Sequence, residues 1–384
     1  MSGQHETDVA IMLHDLAETG VARNALAIAE AACQAGLRTE IWVVDDAGPL
    51  LGQVPNGVKV VRLGNPDRRW RSRRQADTVA IGALARAFCQ RQPAIALSAG
   101  NHFHITASAA YFLAGSPKSV SLLFRVSNPP FQGRNIRIEA VLAWLYRLRF
   151  RGAHRIVAVS EELRDVLVKE IRLAPERVVT IANSIDLEAA RARAAQALDH
   201  PWFAANEPPV ILGIGRLAPQ KNFGLLIKAF AEVRKARPVR LVIIGGGSGA
   251  ERTKLEALIS HLGLTSDDVW LAGHQANPLK FLARAGLFVL SSNWEGMSNV
   301  LLEALACGCP IVATDCPTGV RELLDDGRLG PIVPMNDQHE LALAMGRRLS
   351  APRESKALLK FVVKFDRSLM LLAYGRLFKG EQNR

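Results

Sequence analysis

The sequence predicts an α/β fold of two Rossmann-like domains, each a parallel sheet with helices on both faces. Three observations carry that expectation. At 384 residues the chain is too long for one ordinary hydrophobic core, so two domains are the natural reading. A hydrophobic content of 49% with 22% charged residues describes a globular chain rather than a disordered one. Short apolar runs alternate with amphipathic stretches, stop, and start again, which is the rhythm of parallel βαβ units.

The first series opens with the strand-like run Val9–Leu13, then a helix over 21–35 (VARNALAIAEAACQA) stopped by Gly36. Strands follow at Thr39–Val44 and Val58–Leu63, a long helix near 76–91, strands at Ala94–Ser98 and Val120–Arg125, a basic helix over 135–150, and a strand at Arg155–Val159. Residues 196–209 (QALDHPWFAANEPP) break the rhythm with three prolines and are predicted to be a linker. The second series runs through Val210–Ile214, helix 222–236, Arg240–Ile244, helix 250–262, Val269–Ala272, helix 278–284, Leu287–Leu290, helix 299–307 and Ile311–Ala313. The predicted domains are therefore 1–195 and 210–365, with 366–384 as a terminal helix that packs back on the first. In such sheets a ligand sits outside the carboxyl ends of the strands.

Charge is spread unevenly. The net charge is +12, yet residues 59–155 alone hold seventeen Lys/Arg against Asp67, Asp77 and Glu139, so the remainder is slightly acidic. DRRWRSRRQ (67–75) sets five arginines around Trp70, and 134–155 mixes six arginines with Trp144, Tyr146 and Phe150. Basic segments with interleaved aromatics suit nucleic acid or an anionic bilayer; the bland alternative is a solvated face. No nucleic-acid motif is present, so the membrane surface is the expected partner of 59–155. Along 134–150, Ile138, Leu142, Leu145 and Tyr146 recur at helical spacing and are predicted to face the core, leaving Arg134, Arg137, Arg147 and Arg151 outside. The start MSGQHETDVAIMLHD is polar and acidic where a leader needs a basic, then apolar, run. Five cysteines, Cys33, Cys89, Cys307, Cys309 and Cys316, are sparse and unpaired as C-x-x-C. The expectation is a cytoplasmic protein with reduced thiols and no metal site.

Three loops of the second series carry chemistry. GIGRLAPQKNF (213–223) joins a strand to a helix and combines glycine freedom with Arg216 and Lys221, a combination suited to a diphosphate. IIGGGSG (243–249), with Gly245 and Gly246, lets backbone approach a ligand closely. SNWEGMSNVLLEALACGCPIV (292–312) places Glu295 and Glu303 in an apolar stretch. A buried carboxylate is costly unless its oxygens accept hydrogen bonds, and paired hydroxyls of a sugar or ribose would supply them. The alternative puts Glu303 on a solvent-facing helix edge.

Taken together, the E-x7-E pair, the Arg-x4-Lys of GRLAPQKNF and the flanking EALACGCPIVATD resemble the retaining GT-B glycosyltransferases, the family of bacterial lipopolysaccharide, capsule and glycolipid sugar transferases. VSEELRDVL (159–167), IANSID (181–186) and PTGVREL (317–323) fit the same pattern, so the likeness spans most of the chain. The resemblance implies two Rossmann-like domains with parallel sheets facing across a cleft. It implies Arg216 and Lys221 on the donor diphosphate, beside Gly215, and Glu295 on the donor sugar, these three being the catalytic set. Glu303 would hold the ribose hydroxyls. Gly296, Met297, Ser298, Asn299, Val300 and Leu301 would line the diphosphate and sugar, and Gly273 and His274 would lie near the nucleobase.

In the first half, ETGVAR (18–23) matches the family's glycine loop, which implies that Gly20 faces the donor, with Val21 where a second glycine is common. Many members carry a histidine where this chain offers Ser127, flanked by Arg125 and Asn128; His102 and His104 are the substitutes on hand, the alternative for each being a structural or solvent-exposed histidine. The implied activity is transfer of a hexose or N-acetylhexosamine from a nucleotide sugar to a glycan or lipid-linked acceptor, at the inner face of the membrane. Likeness to amino-sugar and galactose transferases favours UDP over GDP. No D-x-D motif precedes a suitable strand, and the family implies no cofactor and no obligatory metal. Two other readings stay open: a sugar-nucleotide 2-epimerase, and a non-catalytic relative that binds membranes or partners through its basic half.

Overall fold

The structure is a computed structural model that describes residues 7–45, 48–64, 73–129 and 136–382, without the side chains of 73–74, 76–77 and 136–142. Most of the cluster 67–75 and Arg134 lie outside the described residues, and the side chains of Arg137, Ile138 and Leu142 lie outside them as well. The chain divides into two compact units, 1–183 with 368–384, and 184–367.

In the first unit the described elements run β1 (Val9–Leu13), α1 (Gly20–Gln34), β2 (Thr39–Val43), β3 (Lys59–Arg62), α2 (Arg73–Arg91), β4 (Ile95–Ser98), α3 (His104–Leu113), β5 (Ser121–Val126), α4 (Ile136–Arg149), β6 (Arg155–Ala158), α5 (Glu161–Asp165) and β7 (Val178–Thr180). The strands pair in parallel in the order β3-β2-β1-β4-β5-β6-β7. The apolar runs β1 and β4 are fully buried, as a sheet covered on both faces requires. Thr19 caps α1: its Oγ accepts from Ala22 N at 3.2 Å.

The second unit opens with α6 (Leu187–Ala195), then β8 (Val210–Ile214), α7 (Phe223–Ala236), β9 (Arg240–Ile244), α8 (Gly249–His261), β10 (Val269–Gly273), α9 (Leu279–Leu282), β11 (Leu287–Leu290), α10 (Asn299–Ala306), β12 (Ile311–Thr314), α11 (Val320–Leu323), β13 (Ile332–Val333), α12 (Gln338–Ser350) and α13 (Ser355–Val362). Its sheet, again parallel, has the order β10-β9-β8-β11-β12-β13. Strand order reverses between β8 and β11, so the topological switch point of this unit lies at the loops that follow those two strands.

The chain passes from one unit to the other at 183/184, ahead of the predicted linker 196–209. Side-chain bonds to backbone explain the difference. Arg193 donates to Ala276 O (3.0 Å), Asn277 donates to Arg193 O (2.8 Å) and Arg284 donates to Ala194 O (3.2 Å), which fastens α6 to the second unit. The proline-rich segment is itself pinned by rings, with His200 stacked on Trp270 at 4.3 Å and Arg240 over Trp202 at 5.1 Å. Helix α14 (Arg367–Gln382) joins the first unit: Met370, Tyr374 and Phe378 sit in its core, and Glu381 accepts from Arg155 and Ser121.

Candidate functional site

Backbone bonds, joined by a few side-chain-to-backbone bonds, knit the strand ends of the second unit. Gly215 N donates to Ile244 O (2.9 Å), Leu217 N to Gly246 O (2.8 Å) and Gly245 N to Gly273 O (2.8 Å). Only glycine fits the middle of this row: at Gly245 φ is +155°, and a Cβ would lie 1.7 Å from Gly215 O. Across the switch point, Asn293 N donates to Gln220 O (2.8 Å), Gln220 Nε2 to Trp294 O (3.0 Å) and Ser291 Oγ to Lys221 O (2.8 Å). The turn at 317–319 supports the same loop from behind. Thr318 Oγ1 donates to Glu295 O (2.7 Å), and Glu295 N donates to Pro317 O (3.1 Å). The three loops singled out in the sequence are therefore one ligand-scale structure.

Within it, Lys221 Nζ meets Glu295 Oε1 at 2.6 Å, and Ser292 Oγ donates to the same oxygen at 2.7 Å. Both side chains are largely buried, 14% and 7% exposed. This corrects one expectation. Glu295 does not depend on ligand hydroxyls to be satisfied, because Lys221 and Ser292 already neutralise and hydrogen-bond it. An ammonium has three donors, so Lys221 keeps capacity for a second anion. Arg216, by contrast, is exposed.

Ser298 is the N-cap of α10 and is buried, yet its Oγ has no hydrogen-bond partner and does not cap the helix. A buried hydroxyl left unpaired costs on the order of 1–3 kcal/mol, and it stands at the positive end of a helix dipole. Gly296 and Met297 are buried beside it, Asn299 and Val300 half-buried. Leu301 differs from its expected role. Its side chain is in the core and its N–H donates to Ser298 O at 3.1 Å, so it offers a ligand no backbone donor. Glu303 is half-buried in α10, an intermediate between the two positions the sequence allowed. Gly273 adopts φ +66°, and His274 next to it is exposed. Burial, the first cause in each case, pushes the thiols of Cys307, Cys309 and Cys316 up to about 12, so they stay protonated at neutral pH.

The residues expected on the acceptor side belong to the first unit, as does Gly20, which is expected to face the donor. Gly20 opens α1. Asn101, which the sequence reading passed over, organises the turn after β5: its Oδ1 accepts from Ser127 N (2.8 Å) and Ser127 Oγ (3.2 Å), and its Nδ2 donates to Asn128 O (3.0 Å). Arg125 is only 2% exposed; it donates to Asn183 Oδ1 (2.5 Å) and Ala99 O (3.5 Å). His104 is buried, 2.8 Å from Ser98 Oγ through Nδ1 and stacked on Phe124 at 4.6 Å. Burial and then the Arg149 charge hold its pKa well below the ordinary imidazole value. Arg125 and His104 thus act inside the unit, as a tether and a packing element, rather than at its surface. His102 is exposed.

Ser298 is readable from the sequence because its amide leads into the helix over 299–307; a serine ahead of a helix also signals a side-chain cap, which Ser298 does not make. Ser292, Thr318 and Asn101 carry no local signal, because their partners are distant in sequence.

Two parallel sheets of Rossmann order, with glycine-built loops at a switch point and a cation beside a helix N-terminus, define the GT-B class of nucleotide-ligand proteins. The family follows from sequence comparison. Residues 19–189 match the family described as Glycosyltransferase Family 4, and 208–351 match Glycosyl transferases group 1. The chain belongs to the GT-B glycosyltransferases. It is 33% identical over 214 residues to a Campylobacter jejuni N-acetylgalactosamine-N,N'-diacetylbacillosaminyl-diphospho-undecaprenol 4-alpha-N-acetylgalactosaminyltransferase, covering 56% of each chain. It is 36% identical over 139 residues to the Rhizobium meliloti lipopolysaccharide core biosynthesis glycosyltransferase LpsE, covering 36% of this chain and 39% of that one. The chain spans about half the length of the curated relatives it matches. Among solved structures, Anabaena HepE in complex with UDP and glucose superposes with a TM-score of 0.79 at 17% identity, covering 97% of this chain and 99% of that one.

Proposed function

We propose that this chain is a retaining glycosyltransferase that moves a hexose or N-acetylhexosamine from a UDP-sugar to a glycan or lipid-linked acceptor in surface-polysaccharide or glycolipid assembly. The observation that carries the reading is the group formed by the Lys221–Glu295 pair and the unpartnered Ser298 hydroxyl, held on cross-tied loops at the switch point. The bond from the anomeric carbon to the diphosphate breaks, the acceptor oxygen takes its place with the configuration retained, and the acceptor proton is released. Charge grows on the departing diphosphate. Arg216, the remaining donors of Lys221 and the first turn of α10 stabilise it in this reading, a task preorganised cations perform well. Glu303 accepts from the ribose hydroxyls, and Glu295 orients the sugar while holding Lys221 in place. Since these cations do the work, no divalent ion is required, and chelator should leave turnover unchanged. Support for the acceptor class comes from the Campylobacter relative, whose name specifies a diphospho-undecaprenol-linked glycan. Support for UDP comes from the HepE complex, whose ligand is UDP with glucose. We place the chain at the inner face of the membrane, docked through its basic region 59–155; among the described residues no helix is long and apolar enough to cross a membrane.

The test is donor turnover: UDP- and GDP-sugars offered singly, with and without polyprenyl-diphosphate-linked acceptor, following nucleotide release and product stereochemistry. Acceptor-dependent UDP release with a retained anomer is the expected result. Acceptor-independent interconversion of the sugar nucleotide would replace this reading by the epimerase.

A further inference from the structure

Helices α3 and α4 leave an apolar face uncovered. On α4, Trp144, Leu145 and Leu148 are 57%, 48% and 43% exposed; on α3, Ile105, Phe112 and Leu113 are more than half exposed. The two helices are neighbours at this face. Ser108 Oγ donates to Arg149 O at 3.1 Å, and Phe112 lies against Gly152, where a Cβ would stand 3.3 Å from its ring. Ile105, Ser108 and Phe112 share one side of α3 by helical spacing, as Trp144, Leu145 and Leu148 do on α4. The opposite side of α4 is anchored: Phe150, directly after it, is buried against Phe124 and stacks with Tyr146 at 6.1 Å. Leu145 therefore does not face the core, contrary to the periodicity argument. The outer face is apolar with arginines around it, not basic alone.

Arg147 and Arg151 are exposed on the same segment. Between Asp77 and Glu161 the sequence contains a single acid, Glu139. A partner for this face must accept large apolar side chains together with several positive charges. An anionic bilayer does both at once, through its acyl boundary and its lipid phosphates.

We propose that the α3–α4 face inserts Trp144, Leu145, Leu148 and Ile105 into the headgroup–acyl boundary of an anionic membrane, with Arg147 and Arg151 against lipid phosphates. The inference rests on the reading above that the acceptor is membrane-linked, and it makes a separate demand: binding has an apolar component that salt does not screen, as buried apolar area is indifferent to ionic strength.

The experiment uses the full chain and vesicles of phosphatidylcholine with or without phosphatidylglycerol, at low and high salt, some carrying brominated acyl chains. Wild type is expected to bind the anionic vesicles, to retain part of that binding at high salt, and to show bromolipid quenching that Trp144→Phe removes in large part. The double variant Leu145→Ser/Leu148→Ser, at exposed positions where folding is not at stake, should lower the bound fraction about tenfold. Arg147→Gln/Arg151→Gln should lose mainly the salt-sensitive part. Wild-type-like vesicle binding by the leucine variant overturns the proposal. So does a finding that the leucine variant dissolves a dimer while vesicle binding is unchanged. UDP titration of the wild type runs alongside: UDP binding with no binding to anionic vesicles rejects this surface alone, and vesicle binding with no UDP binding rejects the donor site alone.

Discussion

The strand ends of the two units are built from different materials. In the second unit the loops after β8, β9 and β11 are joined by backbone bonds, close glycine contacts and a few side-chain-to-backbone bonds, which leaves further donors on Lys221 and the unpartnered hydroxyl of Ser298. In the first unit most polar groups at the ends of β4 and β5 are engaged within the unit. Asn101 is committed to the 127–128 turn, Arg125 to Asn183 and Ala99, and His104 to Ser98 through Nδ1 and to Phe124 by stacking, its buried Nε2 alone having no partner. A backbone-built site binds one invariant ligand with preorganised groups. The first unit engages most of these groups internally, and its exposed character at α3 and α4 is apolar and basic instead.

The sharpest way to break this contrast is a pair of glycine substitutions. Gly245→Ala forces a Cβ to within 1.7 Å of Gly215 O at φ +155°, and it should destabilise the second unit by more than about 4 kcal/mol, seen as collapse of its urea transition. Gly100→Ala, after β4, meets only the side chains of Val21 (3.0 Å) and His102 (3.3 Å), and it should cost about 1 kcal/mol. Equal penalties would remove the distinction between the two strand ends.

Next in size is Lys221→Ala. It should reduce turnover at least 100-fold, on the order of removing one preorganised electrostatic contact, and also destabilise by about 3 kcal/mol because Glu295 is left buried and uncompensated. Lys221→Met combined with Glu295→Gln should recover stability without recovering turnover. Arg216→Ala, at an exposed position, should lose a similar factor in rate with an unchanged melting temperature. Matching stability losses in the two single variants would mean that Lys221 is not the structural member.

Glu303→Gln sharpens the ligand side: an amide keeps one acceptor and loses charge, so UDP affinity should fall roughly tenfold, about 1.4 kcal/mol, with the fold intact. Unchanged affinity by calorimetry would return Glu303 to a solvent edge.

The smallest effect belongs to the first unit. The folded pKa of His104 is lowered by burial, so above the ordinary value of about 6.5 both folded and unfolded chains carry it neutral and pH has no leverage. Below that value the unfolded chain takes up a proton that the folded one refuses, and stability falls as pH drops, by at most about 1.4 kcal/mol per pH unit for one such group. His154, lowered for the same first reason, adds to the slope. The readout is therefore the difference in urea midpoint between wild type and His104→Gln from pH 7.5 to 5. Parallel curves would remove His104 from the account.

Much of this was readable in advance because it is local. Parallel strands buried on both faces leave continuous apolar runs, and loops that approach a ligand closely need glycine, so the βαβ rhythm and the loops at 213–223, 243–249 and 292–299 follow from short-range constraints. What the sequence determined by itself was the α/β class, the two sheets, the family and the segments from which the candidate site is built. The tertiary structure alone decided the rest, because it depends on residues far apart in the chain. Lys221 and Glu295 are 74 positions apart, and no periodicity reveals that they neutralise each other. The same holds for Arg125, whose burial depends on Asn183, and for the crossing at 183/184, set by the bonds of α6 to residues 276–284. On α4, spacing identifies a stripe but not which stripe a neighbour covers; packing against Phe124 covers one side and leaves Trp144, Leu145 and Leu148 in solvent.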